Sequence, residues 1–193
     1  IYPPSKRFAD DPDGWWSWPG NDFDAEERQK QYAAALGKIE RKLDMTIACN
    51  PDPVADDGDA RKLIEELKAS PPDGLLLMLF YNRSLKLADL LLAEAGKRGI
   101  PVVFYIGLGV KHGTVARYRR PGVYFIQSLD NFAAIENGMR MINTKKRLAQ
   151  SRLLSITNRG KPRTGVEKTL GITVKVIATA DYAAAFEKCA LGA

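Results

Sequence analysis

The chain has 193 residues, of which 45% are hydrophobic and 27% charged, and it carries a formal net charge of +6. That balance excludes disordered, collagen-like and disulfide-rich classes, and the length suits one large domain or a little more. The longest apolar run, Gly74 to Tyr81, falls well short of the roughly 18 to 20 residues that a membrane-spanning helix needs.

The charge is unevenly spread. Residues Ile1 to Ser70 hold ten basic and fifteen acidic side chains, net −5, whereas Pro71 to Ala193 reach net +11. A basic half raises nucleic acid as a partner, yet its cations stand singly among apolar residues, with no zinc motif, aromatic RNP-like strand or dense basic tail. That pattern favours a solvated face, or a site for anionic groups, over a nucleic-acid groove. Cys49 and Cys189 lie far apart with no C-x-x-C spacing and read as buried free thiols. The chain opens on Ile1 rather than Met, so a processed or trimmed start is expected, and a preceding signal peptide stays open.

Along the chain, strand-like and helix-like patterns alternate. Ile1 and Tyr2 read as the tail of a strand, followed by a proline-rich, aromatic loop from Pro3 to Phe23. Asp24 to Leu43 is amphipathic, with Tyr32, Leu36, Ile39 and Leu43 on one stripe and Asp24 as N-cap. Met45 to Cys49 reads as a short strand, Asn50 to Asp57 as a Pro/Asp-rich loop, and Gly58 to Ala69 as a helix. Gly74 to Tyr81 has the continuous apolar character of a strand covered on both faces, and reads as the most buried strand. Ser84 caps the next helix, which turns Leu87, Leu90, Leu91 and Ala95 to one side. Ile100 to Ile106 and Val123 to Gln127 read as further strands, joined by the loop Gly107 to Gly122, and Asp130 to Gln150 as a long helix.

The rhythm then restarts with a strand at Arg152 to Thr157, a basic loop at Asn158 to Gly165 and a short helical segment at Val166 to Leu170. A strand at Ile172 to Ala178 and a helix at Asp181 to Cys189 complete the chain. The expected fold is α/β, a doubly wound, mainly parallel sheet of Rossmann or flavodoxin type in three α/β/α layers, plus the start of a second α/β unit. Residues 1–150 form the expected Rossmann-like domain, and 151–193 a partial second unit or an edge extension of the same sheet.

Ligands of such sheets bind at the carboxyl ends of the strands, which places interest on Pro3–Phe23, Asn50–Asp57, Asn82–Ser84, Gly107–Gly122 and Gln127–Asn131. The first loop concentrates all three tryptophans at 15, 16 and 18, flat apolar faces suited either to sugar rings or bases, or to pinning a long loop. Asn82 and Arg83 supply directional donors ahead of a helix, although a cap and a surface arginine explain them equally. Gly107 to Gly113 satisfies neither G-x-G-x-x-G nor G-x-x-x-x-G-K-[ST], so nucleotide binding is disfavoured. His112 is the sole histidine, no G-x-S-x-G elbow is present, and Asp52, Asp56, Asp57 and Asp59 lack EF-hand spacing and read as a capped loop. The residues expected to touch ligand are Trp16, Trp18, Asn82, Arg83, Lys111 and His112, joined by Arg159. No catalytic or metal-ligating set is assigned.

The opening Tyr2-Pro3-Pro4-Ser5, the strand Gly74 to Phe80 with its polar loop, Arg152 to Gly160, and Leu170 to Ile177 followed by Asp181 resemble the amino-terminal part of L-fucose and L-arabinose isomerase-like proteins. The resemblance covers most of the chain as a pattern rather than as exact motifs. It implies a Rossmann-like domain that binds a sugar or sugar-like ligand. In complete members it also implies aldose–ketose isomerisation with Mn²⁺ or a similar divalent metal, whose ligands come from later chain; no cofactor is expected in these residues. The alternatives are a periplasmic-type sugar-binding or sensing module and a non-catalytic interaction domain. An isomerase implies a cytoplasmic protein and a binding module an exported one, while homo-oligomerisation is left open.

Overall fold

The structure is a computed structural model that describes residues 1–6, 10, 22–80, 84–107 and 116–189. Its chain divides into two units, Ile1–Asn143 and Thr144–Ala193.

In the first unit, the Asp24 carboxylate accepts from the Glu27 N–H at 2.8 Å and opens helix α1 (Ala25–Leu43), with acids in its first turn and Arg41 and Lys42 in its last. Its buried residues include Tyr32, Leu36, Ile39 and Leu43, the expected stripe. Asp56 likewise caps helix α2 (Asp57–Ala69) by accepting from the N–H groups of Gly58 and Asp59. Strands β1 (Leu75–Leu79), β2 (Val102–Ile106) and β3 (Val123–Gln127) form a parallel sheet in the order β1-β2-β3. Helix α3 (Leu85–Lys97) connects the first two strands, and α4 (Phe132–Gln150) follows the third.

The central strand is β2, buried at all five positions, whereas β1 is only half-buried at three of its five; this corrects the expectation that Gly74–Tyr81 is the most buried strand. The reason is topological, because only β2 has a strand on each side. Val102, Phe104 and Ile106 join a core cluster with Leu77, Leu79, Leu91 and Leu92. Val103 and Tyr105 join another with Tyr32, Leu36, Ile135 and Met139. Alternate residues of one strand therefore feed two cores, and helices cover both faces of the sheet. Each large side chain buried this way contributes roughly 1.5–3 kcal/mol by leaving water.

Odd-numbered residues of β1 bond toward β2, as Leu75 N–H does to Pro101 O at 2.9 Å. The even-numbered side receives the start of the chain: Ile1 N donates to Met78 O, and Phe80 N–H donates to Ile1 O at 3.1 Å. Ile1 thus bonds to the outer edge of β1, but Ile1 and Tyr2, expected as the tail of a strand, do not form one. Residues 45–50 carry no strand: Met45 and Ile47 pack half-buried against the second cluster, and the Ile47 N–H donates to the Glu40 side chain at 3.0 Å. In α3 the buried row is Leu87, Ala88, Leu91, Leu92 and Ala95; Leu90 is exposed, and Ser84 makes no side-chain cap bond.

The second unit contains β4 (Arg152–Ile156), β5 (Arg163–Val166), β6 (Thr173–Ile177) and helix α5 (Thr179–Glu187). The sheet order is β4-β6-β5, with β4 and β6 parallel and β5 antiparallel to β6. The helix expected at Val166–Leu170 is instead the turn of a hairpin, and Arg163–Val166 is strand rather than loop. Glu167 N–H donates to Ile172 O and Gly171 N–H to Glu167 O, both at 2.9 Å, while the Glu167 carboxylate accepts from the N–H groups of Thr169 and Leu170. Gly171 supplies a φ of +73°, a left-handed conformation that costs glycine little. The chain is therefore α/β, with a parallel sheet in one unit and a mixed sheet in the other.

Candidate functional site

At the carboxyl ends of the parallel strands, three elements of the first unit, α1, β2 and the loop after β3, bring polar groups together. The loop after β3 carries Asp130, whose backbone adopts a left-handed φ of 49°, uncommon outside glycine and best tolerated by Asn and Asp. Asn131 then starts α4 by accepting from the Ala134 N–H at 3.0 Å. The Asp130 Oδ1 accepts from the Arg28 guanidinium and, at 2.9 Å, from the Tyr32 hydroxyl. Arg28 and Tyr32 lie one turn apart on α1, so the guanidinium also rides over the Tyr32 ring, 5.1 Å from its centroid. The Tyr32 hydroxyl lies 3.0 Å from that of Tyr105, the penultimate residue of β2.

These contacts set the ionisation of the group. The Arg28 guanidinium, followed by the Tyr32 hydroxyl, holds the Asp130 carboxyl below the usual carboxylate range, and Asp130 in turn raises Arg28. Burial first, then the bonds to Tyr105 and Asp130, push the Tyr32 phenol far above its ordinary value. Near neutral pH the site therefore presents the Asp130 carboxylate, the Arg28 guanidinium and the protonated Tyr32 phenol. Arg28 and Asp130 side chains are 26% and 42% exposed, so both meet solvent.

Aromatic rings border this cluster. Phe80, just past β1, stacks on Tyr2 at 5.4 Å between centroids and meets Tyr32 at 5.3 Å, while Phe132 meets Tyr32 at 4.9 Å. The Tyr2 hydroxyl donates to Gln29 Oε1, and Gln29 Nε2 donates to Asn50 O at 2.9 Å, tying the loop at 50 to α1. A second cluster joins Asp89 of α3 to Arg117 and Tyr118: Arg117 donates to Asp89 Oδ2 at 2.7 Å and the Tyr118 hydroxyl to Oδ1 at 2.8 Å.

Trp16, Trp18, Asn82, Arg83, Lys111 and His112 lie outside the described residues. Arg159 is described: it is exposed in the second unit, where its N–H donates to Thr157 Oγ1 at 3.0 Å. The residues that converge, Arg28, Tyr32, Tyr105 and Asp130, were not among those singled out from sequence, although Asp130 sits in the expected carboxyl-end loop Gln127–Asn131. Tyr32 reads from its spacing as core alone, and nothing local marks its hydroxyl as the partner of an acid 98 residues away.

The acidic run behaves as a capped loop: Asp56 caps α2, Asp59 accepts from the Ala55 N–H at 3.0 Å, and Asp57 pairs with Lys86 at 3.0 Å. Among the described residues no group of three or more His, Cys, Asp or Glu side chains could hold a metal. Both cysteines are free but exposed rather than buried, because Cys49 lies in the unpaired segment before the loop at 50 and Cys189 just beyond α5. No helix among the described residues is long and apolar enough to cross a membrane. No protein-family model matches the chain, and neither a curated protein nor a solved structure matches it significantly.

Proposed function

We propose that the first unit is a doubly wound, flavodoxin-like domain that binds a small polyhydroxylated, sugar-like ligand at the carboxyl edge of its parallel sheet. The observation that carries this reading is the solvent-reaching Asp130–Arg28 pair, braced by Tyr32 and bordered by the rings of Phe80 and Phe132. A carboxylate accepts from ligand hydroxyls, a guanidinium donates to them or to an acid group, and aromatic faces pack against the C–H faces of a sugar ring. The Tyr32 phenol, held protonated, positions Asp130 by donating to it and does not serve as a base.

In an isomerase-like protein this domain contributes ligand binding, and the divalent metal is held by residues other than this cluster. The second reading is a sugar-binding or sensing module of periplasmic type. Thermal-shift measurements on the 193-residue chain with pentoses, hexoses, deoxysugars and sugar acids, with and without Mn²⁺, test both readings. A ligand specific for the native state raises the melting temperature by mass action. The expected result is a shift with at least one of these ligands that Asp130→Asn removes. No shift with any of them, or a shift indifferent to Asp130→Asn, overturns the proposal. A shift that needs Mn²⁺ supports the isomerase relation, and one that does not supports the binding module.

A further inference from the structure

The Asp130–Arg28 pair leaves one acceptor and one donor unused. Asp130 meets both its partners, the Arg28 guanidinium and the Tyr32 hydroxyl, through a single oxygen, Oδ1. Its Oδ2 accepts no hydrogen bond among the described residues, although the side chain reaches solvent. Arg28 gives one N–H of Nη2 to Asp130 and one of Nη1 to Gln31 Oε1 at 3.3 Å, while its Nε–H has no acceptor among the described residues. A carboxylate lone pair and a guanidinium N–H are thus open on one ion pair. The pair is also held in place: the Asp130 carbonyl accepts from the Phe132 N–H at 3.0 Å, and the guanidinium lies over the Tyr32 ring. Turning the carboxylate away breaks the Tyr32 bond as well as the ion pair, so a ligand meets the two groups as one preorganised unit.

That unit discriminates by charge. A ligand carboxylate drawn to Arg28 comes up against the Asp130 carboxylate, and a ligand ammonium drawn to Asp130 comes up against the guanidinium. Each gains from one partner and loses to the other. A hydroxyl carries no charge and both donates and accepts, so two of them on neighbouring carbons satisfy both partners at once. The two must be gauche, with an O–C–C–O torsion of about 60°, because a trans-diaxial pair at roughly 180° points its oxygens apart.

We propose that the Asp130–Arg28 pair selects its ligand by an uncharged vicinal diol, one hydroxyl donating to Asp130 Oδ2 and its gauche neighbour accepting from the Arg28 guanidinium. The inference rests on the reading of this sheet edge as a sugar site, and it narrows that reading from sugars and sugar acids alike to ligands that bring neutral, adjacent hydroxyls to the pair.

The test is calorimetric titration of the intact 193-residue chain with glucose, galactose, mannose, arabinose and xylose, their singly deoxygenated derivatives, and the corresponding uronic acids and amino sugars. For a sugar that binds, deleting either of two adjacent hydroxyls is expected to weaken binding at least about tenfold, and deleting any other to weaken it less. These comparisons use the unaltered protein and depend on no variant. In Arg28→Ala the cost of deleting the accepting hydroxyl largely disappears, while that of deleting its neighbour remains. If sugars bind but no adjacent pair stands out, or if Arg28→Ala leaves both costs unchanged, the diol proposal is overturned and the sugar reading survives it. A uronic acid or an amino sugar that binds more than about tenfold more tightly than its parent, with the gain removed by Arg28→Ala or Asp130→Asn respectively, overturns it in the same way. Absence of binding across the whole set overturns the sugar reading and the diol proposal together.

Discussion

The hydroxyl of Tyr32 stands 3.0 Å from that of Tyr105 and 2.9 Å from the Asp130 carboxylate, so one helical side chain ties the central strand to the loop after β3. Tyr32→Phe removes both bonds while keeping the ring packed against Phe80 and Phe132. The expected loss is about 1–3 kcal/mol, read by urea denaturation, because the Tyr105 hydroxyl loses its Tyr32 partner while remaining buried. Adding Tyr105→Phe costs less than its single-variant effect, since the group left behind is then gone too. Because the folded-state pKa of Tyr32 is raised, its contribution is complete below the ordinary phenol value of about 10 and fades as pH rises beyond it. Tyr32→Phe therefore flattens the alkaline limb of the stability curve.

Asp130 acts at the other end of the pH scale. Its folded-state pKa is depressed, chiefly by Arg28, so its contribution is present above the unfolded value of about 3.9 and is lost as pH falls through the folded one. Asp130→Asn narrows the stability difference between pH 7 and pH 3. As the pair is partly exposed, solvent screening limits the change to less than about 1 kcal/mol. Melting curves across that interval check it, and an unchanged difference shows that the pair adds nothing to folding.

Gly138 of α4 lies against the sheet so closely that an added Cβ would stand 2.7 Å from Val103 Cγ2 and 2.9 Å from Tyr124 Cδ1. Gly138→Ala is expected to destabilise by about 1–3 kcal/mol despite the better helix propensity of alanine, because overpacking outweighs the helical gain. The double variant Gly138→Ala, Val103→Ala recovers part of the helix–sheet contact. Its stability therefore exceeds the value expected from adding the two single losses.

Asp56 accepts from the N–H groups of Gly58 and Asp59 at 2.7 and 3.0 Å. Asp56→Ala leaves these donors without their cap and costs about 1 kcal/mol, whereas Asp56→Ser retains most of the stability. Chemical denaturation of the three proteins gives the comparison directly.

Several elements were legible because their information is local. The stripe Tyr32, Leu36, Ile39 and Leu43 follows helical spacing, the cap at Asp24 precedes it, and the apolar runs around Leu77, Phe104 and Phe125 mark strands. Where local signals conflict, reading fails. Arg163-Thr164-Gly165-Val166 is short, charged and interrupted by glycine, and becomes a strand only because β6 offers it a ladder. Met45 to Cys49 has strand-like composition, yet lies without a ladder beside a cluster that accepts Met45 and Ile47 as side chains alone.

By itself the sequence determined most of the helices and strands of the first unit, Met45 to Cys49 excepted, the apolar stripe of its first helix, and how the charge divides along the chain. Tertiary structure alone decided that β2 is central, that the second sheet is mixed, and that Arg28 meets an acid 102 residues further on. Periodicity records how a segment meets its surroundings within a turn or a pleat, whereas pairing across such separations depends on strand order and register, which no local spacing carries.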